Sequence, residues 1–146
     1  MNIAELHQIF LGCGTVSTDT RSLQKNTLFF CLKGENFNGN TFAKKALEEG
    51  AAYVVYDDEE YTPQHKNAIL VQDSLASLQA LAQFHRNQFN IPVIGLTGSN
   101  GKTTSKELIK SVLEQTFEVV ATKGNLNNHI GVPLTLLNIK ETTEIA

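Results

Sequence analysis

The residues with the clearest chemical meaning lie at positions 95–104, where the sequence reads Gly-Leu-Thr-Gly-Ser-Asn-Gly-Lys-Thr-Thr. A glycine-rich turn that opens a helix presents unpaired backbone N–H groups and the positive end of the helix dipole, and both attract phosphate. We predict that Lys102 reaches the β- and γ-phosphates of a nucleotide and that the hydroxyl of Thr103 faces a bridging Mg²⁺. Further loop contacts are expected from Gly98, Ser99, Asn100, Gly101 and Thr104.

The match to the phosphate-loop pattern G-x-x-x-x-G-K-[ST] is incomplete. Its first glycine would fall on Leu96, and Gly98 is present instead. The core Gly101-Lys102-Thr103 is intact, and the apolar run 92–96 before it is typical of a buried parallel strand. The alternative is an ordinary turn between strand and helix that carries a surface lysine.

A second polar cluster, Thr18-Asp19-Thr20-Arg21, precedes a turn at residues 24–26. Because a strand-like segment follows that turn, we predict that the hydroxyls and the guanidinium lie at the edge of a sheet. Asn26 suits the turn, since asparagine tolerates a positive φ better than most non-glycine residues. A structural ion pair between Arg21 and Asp19, or another acid, is the alternative role for the arginine.

Composition restricts the class of protein. At 146 residues, with 41% hydrophobic and 18% charged residues, the chain is long and apolar enough to fold around a core without disulfides. Its net charge of −3 and its scattered Lys and Arg residues argue against nucleic acid as the main partner. Cys13 and Cys31 lack the spacing of a metal or redox motif, so we expect buried thiols in a reducing compartment, with one disulfide as the alternative.

The N-terminal ten residues contain an acid and no basic segment, so they do not resemble a signal peptide. No window approaches the roughly 18 to 20 apolar residues that are needed to span a bilayer. We therefore expect a cytoplasmic protein without membrane insertion.

The elements that must hold the two polar clusters alternate between helix and strand, which predicts an α/β fold. Apolar residues at helical spacing predict a first helix over residues 2–11, stopped by Gly12 and Gly14. A second helix is expected over residues 42–49, capped by Asn40 or Thr41 and followed by Gly50.

A third helix is expected after the cap formed by Asp73 and Ser74. His85 and Arg86 near its end are expected to complement the helix dipole. Strands are predicted over residues 27–32, 51–56 and 68–71, with a loop over 33–40. The four acids Asp57, Asp58, Glu59 and Glu60 are expected to form a solvated turn rather than a metal site.

Residues 92–146 are predicted to form a strand, the phosphate loop, a helix over about 103–116, a strand over 117–121 and the start of another helix. Two parallel strands cannot bury both faces of a sheet, and a mononucleotide-binding fold needs more units. We therefore expect a chain that stops within a second domain, with domains at 1–90 and 91–146.

Three separated stretches together resemble the Mur ligases, the ATP-dependent enzymes that build the stem peptide of peptidoglycan. Residues 17–21, 28–35, 42–46 and 50–51 resemble the uridine-nucleotide-binding N-terminal domain of that family. Residues 97–104 match its phosphate loop, including the register of Gly98. Residues 124–128 and 130–136 are most similar to the branch that adds D-alanyl-D-alanine (D-Ala-D-Ala) to the UDP-MurNAc-tripeptide. The resemblance covers nearly all of this chain but about a third of such an enzyme.

The resemblance implies a small N-terminal α/β domain for the UDP-linked substrate, followed by the start of a P-loop parallel-sheet domain. It also implies a mechanism in which ATP phosphorylates the tripeptide carboxylate and the amine of D-Ala-D-Ala attacks the acyl phosphate, with Mg²⁺ as the metal. Lys102 is then the catalytic phosphate clamp and Thr103 the Mg²⁺ ligand. Asn125 and Asn128 are implied to lie near the metal or phosphate, Thr18, Asp19, Thr20 and Arg21 to meet the diphosphate and uridine, and Asn38 and Asn40 to contact the ribose or base.

Several alternatives stay open from the sequence. The loop 34–40 departs from the family pattern, because aspartate is common at Asn38 and histidine at Asn40. Asn125 and Asn128 have the alternative role of capping the following helix. The alternative functions are another Mur ligase step, a UDP-sugar-peptide binding module without catalysis, and an unrelated P-loop NTPase or kinase. We expect the 146 residues alone to be inactive.

Overall fold

The chain has an α/β architecture in the computed structural model, which describes residues 1–124 and 126–146. Short 3₁₀ helices cover Thr20–Ser22, Gly39–Phe42 and Glu59–Tyr61. The helices and strands are α1 (Ile3–Cys13), β1 (Val16–Ser17), β2 (Leu28–Phe30), β3 (Lys33–Gly34), β4 (Phe37–Asn38), α2 (Ala43–Glu48), β5 (Tyr53–Tyr56), β6 (Ala68–Leu70), α3 (Ser74–Arg86), α4 (Lys102–Leu113) and α5 (Gly131–Leu136).

A four-stranded parallel sheet in the order β1-β2-β5-β6 forms the centre of the N-terminal part. Side chains alternate across β2, so Leu28 and Phe30 pack under α1 and α3 while Phe29 packs under α2. All three residues are buried, as expected for a parallel strand that is covered on both faces. β1 is an edge strand, which confirms the predicted position of the polar cluster that follows it.

Helix α1 continues two residues beyond its predicted end. Asn2 and Glu5 form a capping box at its start, and Gly14 ends it with a φ of 74° and an N–H bond to Phe10 O at 2.7 Å. The prediction that Gly12 stops the helix was wrong, because burial of Phe10 and Cys13 offsets the roughly 1 kcal/mol penalty of a helical glycine. Cys13 and Cys31 are free and buried, as expected.

The loop predicted over residues 33–40 contains the small antiparallel pair β3–β4. Asn38, rather than Asn40 or Thr41, provides the cap: its side chain accepts from Asn40 N at 3.0 Å and starts the 3₁₀ helix that leads into α2. A Cβ on Gly39 would lie 2.4 Å from Leu32 O, so the close approach of these backbones requires glycine. The turn at Asn26 has the expected positive φ, 64°.

Helix α3 begins as predicted, with the Asp73 side chain accepting from Ala76 N at 2.8 Å. The prediction that His85 mainly complements the helix dipole was wrong, because its ring is buried between α1 and the segment after α5. Its Nδ1 lies 3.0 Å from His7 Nε2, and its Nε2 lies 2.9 Å from Ile139 O. A carbonyl only accepts, so His85 Nε2 carries a proton, and in the neutral ring Nδ1 accepts from His7.

Residues 92–96 and 117–121, both predicted as strands, form only short pairings. Ile94 N donates to Ala146 O at 2.8 Å, and Ala146 N donates to Pro92 O at 3.1 Å. Val119 forms a parallel bridge with Ile145. Residues 145–146 therefore lie between the two predicted strands, which the sequence did not indicate, and the pairings are too short to make regular strands.

Helix α5 packs against α3, and Leu137 after it completes the hydrophobic core that lies under α1 and α3. Leu137 joins the cluster under α1 and α3, and Ile139 is 2% exposed. The His85–Ile139 bond therefore lies where the N-terminal part meets the segment that follows the phosphate loop. Among the described residues, none of the helices combines the length and the hydropathy that crossing a membrane requires.

Lowering the pH is expected to destabilise the chain through His7. Burial, and then the charge of His85, lowers the pKa of His7 below 6.5. As the pH falls, His7 takes up a proton in the unfolded chain before it does so in the folded chain. The contribution of neutral, buried His7 to stability is therefore fully present above about pH 6.5 and is lost below it. We expect the urea midpoint to decrease between about pH 7.5 and pH 5.5, and to decrease less for His7→Gln than for the parent. The glutamine keeps an N–H donor.

The matched control is His129→Gln, the same change at an exposed histidine. It should retain the pH dependence of the parent chain. Identical pH dependence in His7→Gln and the parent would contradict the role assigned to the buried pair.

Candidate functional site

The glycine-rich loop leads directly into α4, as predicted. Gly101 is the residue before the helix and has a φ of 78°, and Gly98 has a φ of 148°. Both values lie in the region that favours glycine, so the loop depends on these two residues. No side chain of the described residues caps α4, and its first-turn N–H groups are therefore open to an anion.

Lys102 and Thr103 line one cavity of about 280 Å³ beside this loop. The Lys102 ammonium donates to the carbonyl oxygens of Gly98 and Ser99, which belong to the loop itself. Ser99, Asn100 and Thr104 are exposed. They lie on the loop or the first turn and do not line this cavity.

The asparagines predicted near the phosphate have different positions. Asn125 lies outside the described residues. Asn128 Oδ1 accepts from Ile130 N at 3.1 Å and from Gly131 N at 2.8 Å, so it caps the start of α5, the alternative role recognised from the sequence. Asn127 lines the cavity with Lys102. Sequence reasoning missed it, because a run with three asparagines does not show which amide faces the loop.

Lys106 was also missed, although its spacing from Lys102 was a usable signal. Residues four apart lie on the same side of a helix, and both lysines line the cavity. Thr122 and Gly124 form another part of the lining. The phosphate loop, the second turn of α4 and the segment after residue 121 thus meet around one space.

A second cavity, of about 560 Å³, brings together Thr18, Asp19, Thr20 and Arg21 at the sheet edge. Five residues that sequence reasoning did not place in a site also line it: Phe29, Phe37, Gly39, Phe42 and Lys45. Phe37 and Phe42 stack with ring centroids 5.6 Å apart and 20° between their planes, and Lys45 adds a cation. A flat aromatic pair beside two cationic side chains suits a ligand with both a planar ring and anionic groups.

Arg21 pairs with Asp19 in this cavity wall. Its Nε lies 2.9 Å from Oδ1 and its Nη2 lies 2.6 Å from Oδ2, and these bonds lower the pKa of Asp19 to about 2. The Arg21 side chain is 89% exposed, so water screens the pair and its net contribution to stability is small. The pair therefore matches the alternative ion-pair role and leaves the guanidinium accessible.

Asn38 and Asn40 do not join Arg21 in that cavity. Asn40 is 1% exposed, and its Nδ2 donates to Asn38 Oδ1 at 2.8 Å and to Asp57 Oδ1 at 2.9 Å. Its Oδ1 accepts from Asp57 N at 3.0 Å. Asn38 Nδ2 donates to Asp58 at 3.2 Å. Both amides thus connect the loop before α2 to the end of β5, and the partners of Asn40 are all protein atoms.

Asp57, the first of the four consecutive acids at residues 57–60, is less solvated than expected. The side chain of Asp57 is 11% exposed, and it also accepts from Ser74 N at 2.9 Å and pairs with Lys33 at 3.2 Å. Burial alone would raise the pKa of Asp57, but the bonds from Ser74, Asn40 and Lys33 outweigh burial and lower it. No group of three His, Cys, Asp or Glu side chains within the described residues is arranged to hold a metal.

Two family descriptions match consecutive parts of the chain. The one described as "Mur ligase family, catalytic domain" matches residues 14–94, more than half of the chain. The one described as "Mur ligase middle domain" matches residues 96–146.

Several curated relatives carry the name UDP-N-acetylmuramoyl-tripeptide–D-alanyl-D-alanine ligase. The Bacillus subtilis protein is 49% identical over 132 residues, which are 90% of this chain and 29% of the relative. The Synechocystis protein is 46% identical over 132 residues, with the same coverage. The chain therefore spans about 30% of the length of these relatives.

Solved structures agree with this relationship. A crystal structure of MurF from Acinetobacter baumannii matches with a TM-score of 0.84 and 29% identity, over 99% of this chain and 34% of that one. The MurF ligase of Thermotoga maritima in complex with ADP matches with a TM-score of 0.80 and 32% identity, over 92% of this chain and 31% of that one. From the family matches to both of its parts and from this shared fold, the chain belongs to the Mur ligase family.

Proposed function

We propose that this chain is part of an ATP-dependent ligase that joins UDP-MurNAc-tripeptide to D-Ala-D-Ala. The observation that carries the proposal is the open phosphate loop at α4, in a chain 49% identical to a ligase named for those two substrates. The presence of a separate cavity at Arg21 supports two binding sites, one for each kind of phosphate-bearing substrate.

The residues at the phosphate loop suit ATP and Mg²⁺. The uncapped N–H groups of α4 favour phosphate oxygens, and the backbone at Gly98 and Gly101 carries no side chain that would obstruct them. Lys102 would exchange its hydrogen bonds to the loop carbonyls for bonds to the β- and γ-phosphates. The Thr103 hydroxyl would bind Mg²⁺. The related Thermotoga maritima ligase, whose structure is in complex with ADP, supports this assignment.

The proposed reaction brings two anions together. ATP would transfer its γ-phosphoryl group to the tripeptide carboxylate and leave as ADP, after which the D-Ala-D-Ala amine would displace phosphate to form the amide. Mg²⁺ would supply Lewis-acid neutralisation of the phosphate oxygens. Lys102 would hold and neutralise the same oxygens, and the loop N–H groups would fix their orientation.

We assign the second cavity to the UDP group of the sugar-nucleotide substrate. Arg21 and Lys45 would meet the diphosphate, and the stacked Phe37 and Phe42 would offer the planar contact that uracil requires. Hydroxyls for the ribose are available nearby on Thr18 and Thr20. Asn38 and Asn40 would act indirectly, because their bonds hold the loop that carries Phe37.

We further propose that residues 1–90 are the UDP-substrate domain and that residues 91–146 begin the ATP-binding domain. The order of the two cavities along the chain supports this division. A cytoplasmic location follows from the proposed substrates, which are UDP-linked precursors. A UDP-sugar-peptide binding module without catalysis is the second outcome that the experiments below distinguish.

Lys102→Met in the full-length protein is expected to lower ADP release by a factor of about 1,000, because it removes the cation at the transferred phosphate. The measured rate is the part that requires both UDP-MurNAc-tripeptide and D-Ala-D-Ala. Lys110→Met, two turns further along the same helix at a lysine that pairs with Glu114, is the control and should retain the parent rate. A Lys102→Met enzyme with more than about a tenth of the parent rate would contradict the assignment.

Arg21→Ala in the 146-residue chain is expected to weaken binding of UDP-MurNAc-tripeptide about tenfold, because a charge-assisted bidentate contact is lost. Isothermal calorimetry measures the affinity. Lys66→Ala removes an exposed cation elsewhere and should leave it unchanged. Equal binding by Arg21→Ala and the parent would exclude Arg21 from the site.

Asn40→Ala is expected to act on stability rather than on binding. Its loss removes one hydrogen bond to Asn38 and two to Asp57 at a buried position, which should lower the free energy of unfolding by about 1–3 kcal/mol. Urea unfolding measures that change, and calorimetry on the folded variant should give an affinity within about threefold of the parent. A large loss of affinity at unchanged stability would instead support direct contact with the ligand.

A further inference from the structure

Lys106 lies one helical turn after Lys102 and lines the same cavity, but its surroundings are different. Its side chain is only 14% exposed. An ammonium group that has lost most of its water needs protein acceptors in return. The identity of those acceptors therefore indicates what the lysine does.

Two of the acceptors are backbone carbonyls on one short segment. Lys106 Nζ donates to Thr122 O and, over 3.3 Å, to Gly124 O. The third acceptor is the carboxylate of Glu107, whose pKa the bond from Lys106 lowers. Three acceptors match the three protons of an ammonium group, so Lys106 has no proton left over for a phosphate.

Lys102 has a different set of partners. Its ammonium contacts carbonyls of the phosphate loop at Gly98 and Ser99. Those contacts are with the loop that a ligand would occupy, whereas Lys106 contacts the segment on the other side of the cavity. The two lysines of one helix face therefore serve different walls of the same space.

The segment that Lys106 holds makes a sharp turn. Gly124 has a φ of 53°, and Leu126 N donates to Lys123 O at 3.1 Å. Before the turn, Val120 N is fixed by a 3.0 Å bond to Ile145 O. After the turn, Asn127 lines the cavity with Lys102. Lys106 is thus the side-chain anchor between a paired stretch of backbone and the residue that reaches the cavity.

We propose that Lys106 is a positioning residue of the phosphate site, which ties the carbonyls of Thr122 and Gly124 to α4 and thereby sets where Asn127 stands relative to Lys102. The inference rests on the proposed function, since it takes a nucleoside triphosphate as the ligand of this cavity. Loss of the ammonium removes two charge-assisted hydrogen bonds and frees the turn. A displacement of about 1 Å at a reacting group can lower a rate about 100-fold.

The test compares Lys106→Met, which keeps an unbranched apolar stem, with Lys110→Met in the full-length protein. Lys110 lies one turn further along α4 and pairs with Glu114 at 3.0 Å. ADP release is measured with MgATP, UDP-MurNAc-tripeptide and D-Ala-D-Ala, at a temperature where circular dichroism shows each variant folded.

We expect kcat of Lys106→Met to fall about 10- to 100-fold, while KM for the UDP-linked substrate changes less than about threefold, since that substrate is assigned to the other cavity. Lys106→Arg should restore most of kcat, because a guanidinium can donate to both carbonyls. Lys110→Met should stay within about twofold of the parent. A purely structural lysine would lower the urea midpoint and leave kcat of the folded enzyme unchanged.

The other possible results distinguish the positioning role of Lys106 from the proposed function. A folded Lys106→Met enzyme with the kcat of Lys110→Met overturns the positioning role and leaves the proposed function intact. A parent protein that releases no ADP with these substrates contradicts the proposed function, and MgATP titration then decides the inference. Affinity at least about tenfold weaker in Lys106→Met than in Lys110→Met supports it, and equal affinity overturns it. Should Lys106→Met not fold, Lys106→Gln and Lys110→Gln are compared by the same criteria.

Discussion

Parallel strands leave both faces of a sheet to be covered, and this requirement determines where the polar residues of the chain can lie. β2 satisfies it with Leu28 and Phe30 on one face and Phe29 on the other, each under a helix. A strand buried in this way can offer a cavity only apolar side chains, as Phe29 does at the second cavity. The polar cluster Thr18–Arg21 accordingly follows the edge strand β1, where water and a ligand have access.

The same need for cover connects the two parts of the chain. Helix α3 packs on the first sheet and also contacts α5, so Leu137 completes a core that begins with α1, and Ile139 is buried beside it in sequence. Polar atoms at this junction must be paired, and the chain His7–His85–Ile139 O pairs them with one proton at each step. Packing and proton position are therefore coupled where the two parts meet.

Three of the four cations that line the two cavities differ in how firmly the protein holds them. Arg21 is bound to an exposed carboxylate and Lys102 to the carbonyls of its own loop, so an anionic ligand can replace these partners at small cost. Lys106 is mostly buried and fully bonded, so exchanging its partners costs much more. Burial thus separates cations suited to meet a phosphate from one suited to hold the backbone around it.

Local patterns in the sequence were sufficient for features that depend on neighbouring residues. The order of the helices and of strands β2, β5 and β6, the Asp73 cap, the positive φ at Asn26 and the start of α4 after Gly101 follow from apolar spacing, capping chemistry and backbone sterics. Only the tertiary structure determined the burial of His85, the buried network of Asn40, the approach of Asn127 to the phosphate loop and the carbonyl partners of Lys106. These four features depend on contacts between residues that are not neighbours in the chain. His7 and His85, for example, are 78 positions apart. Such contacts leave no periodic pattern in the sequence.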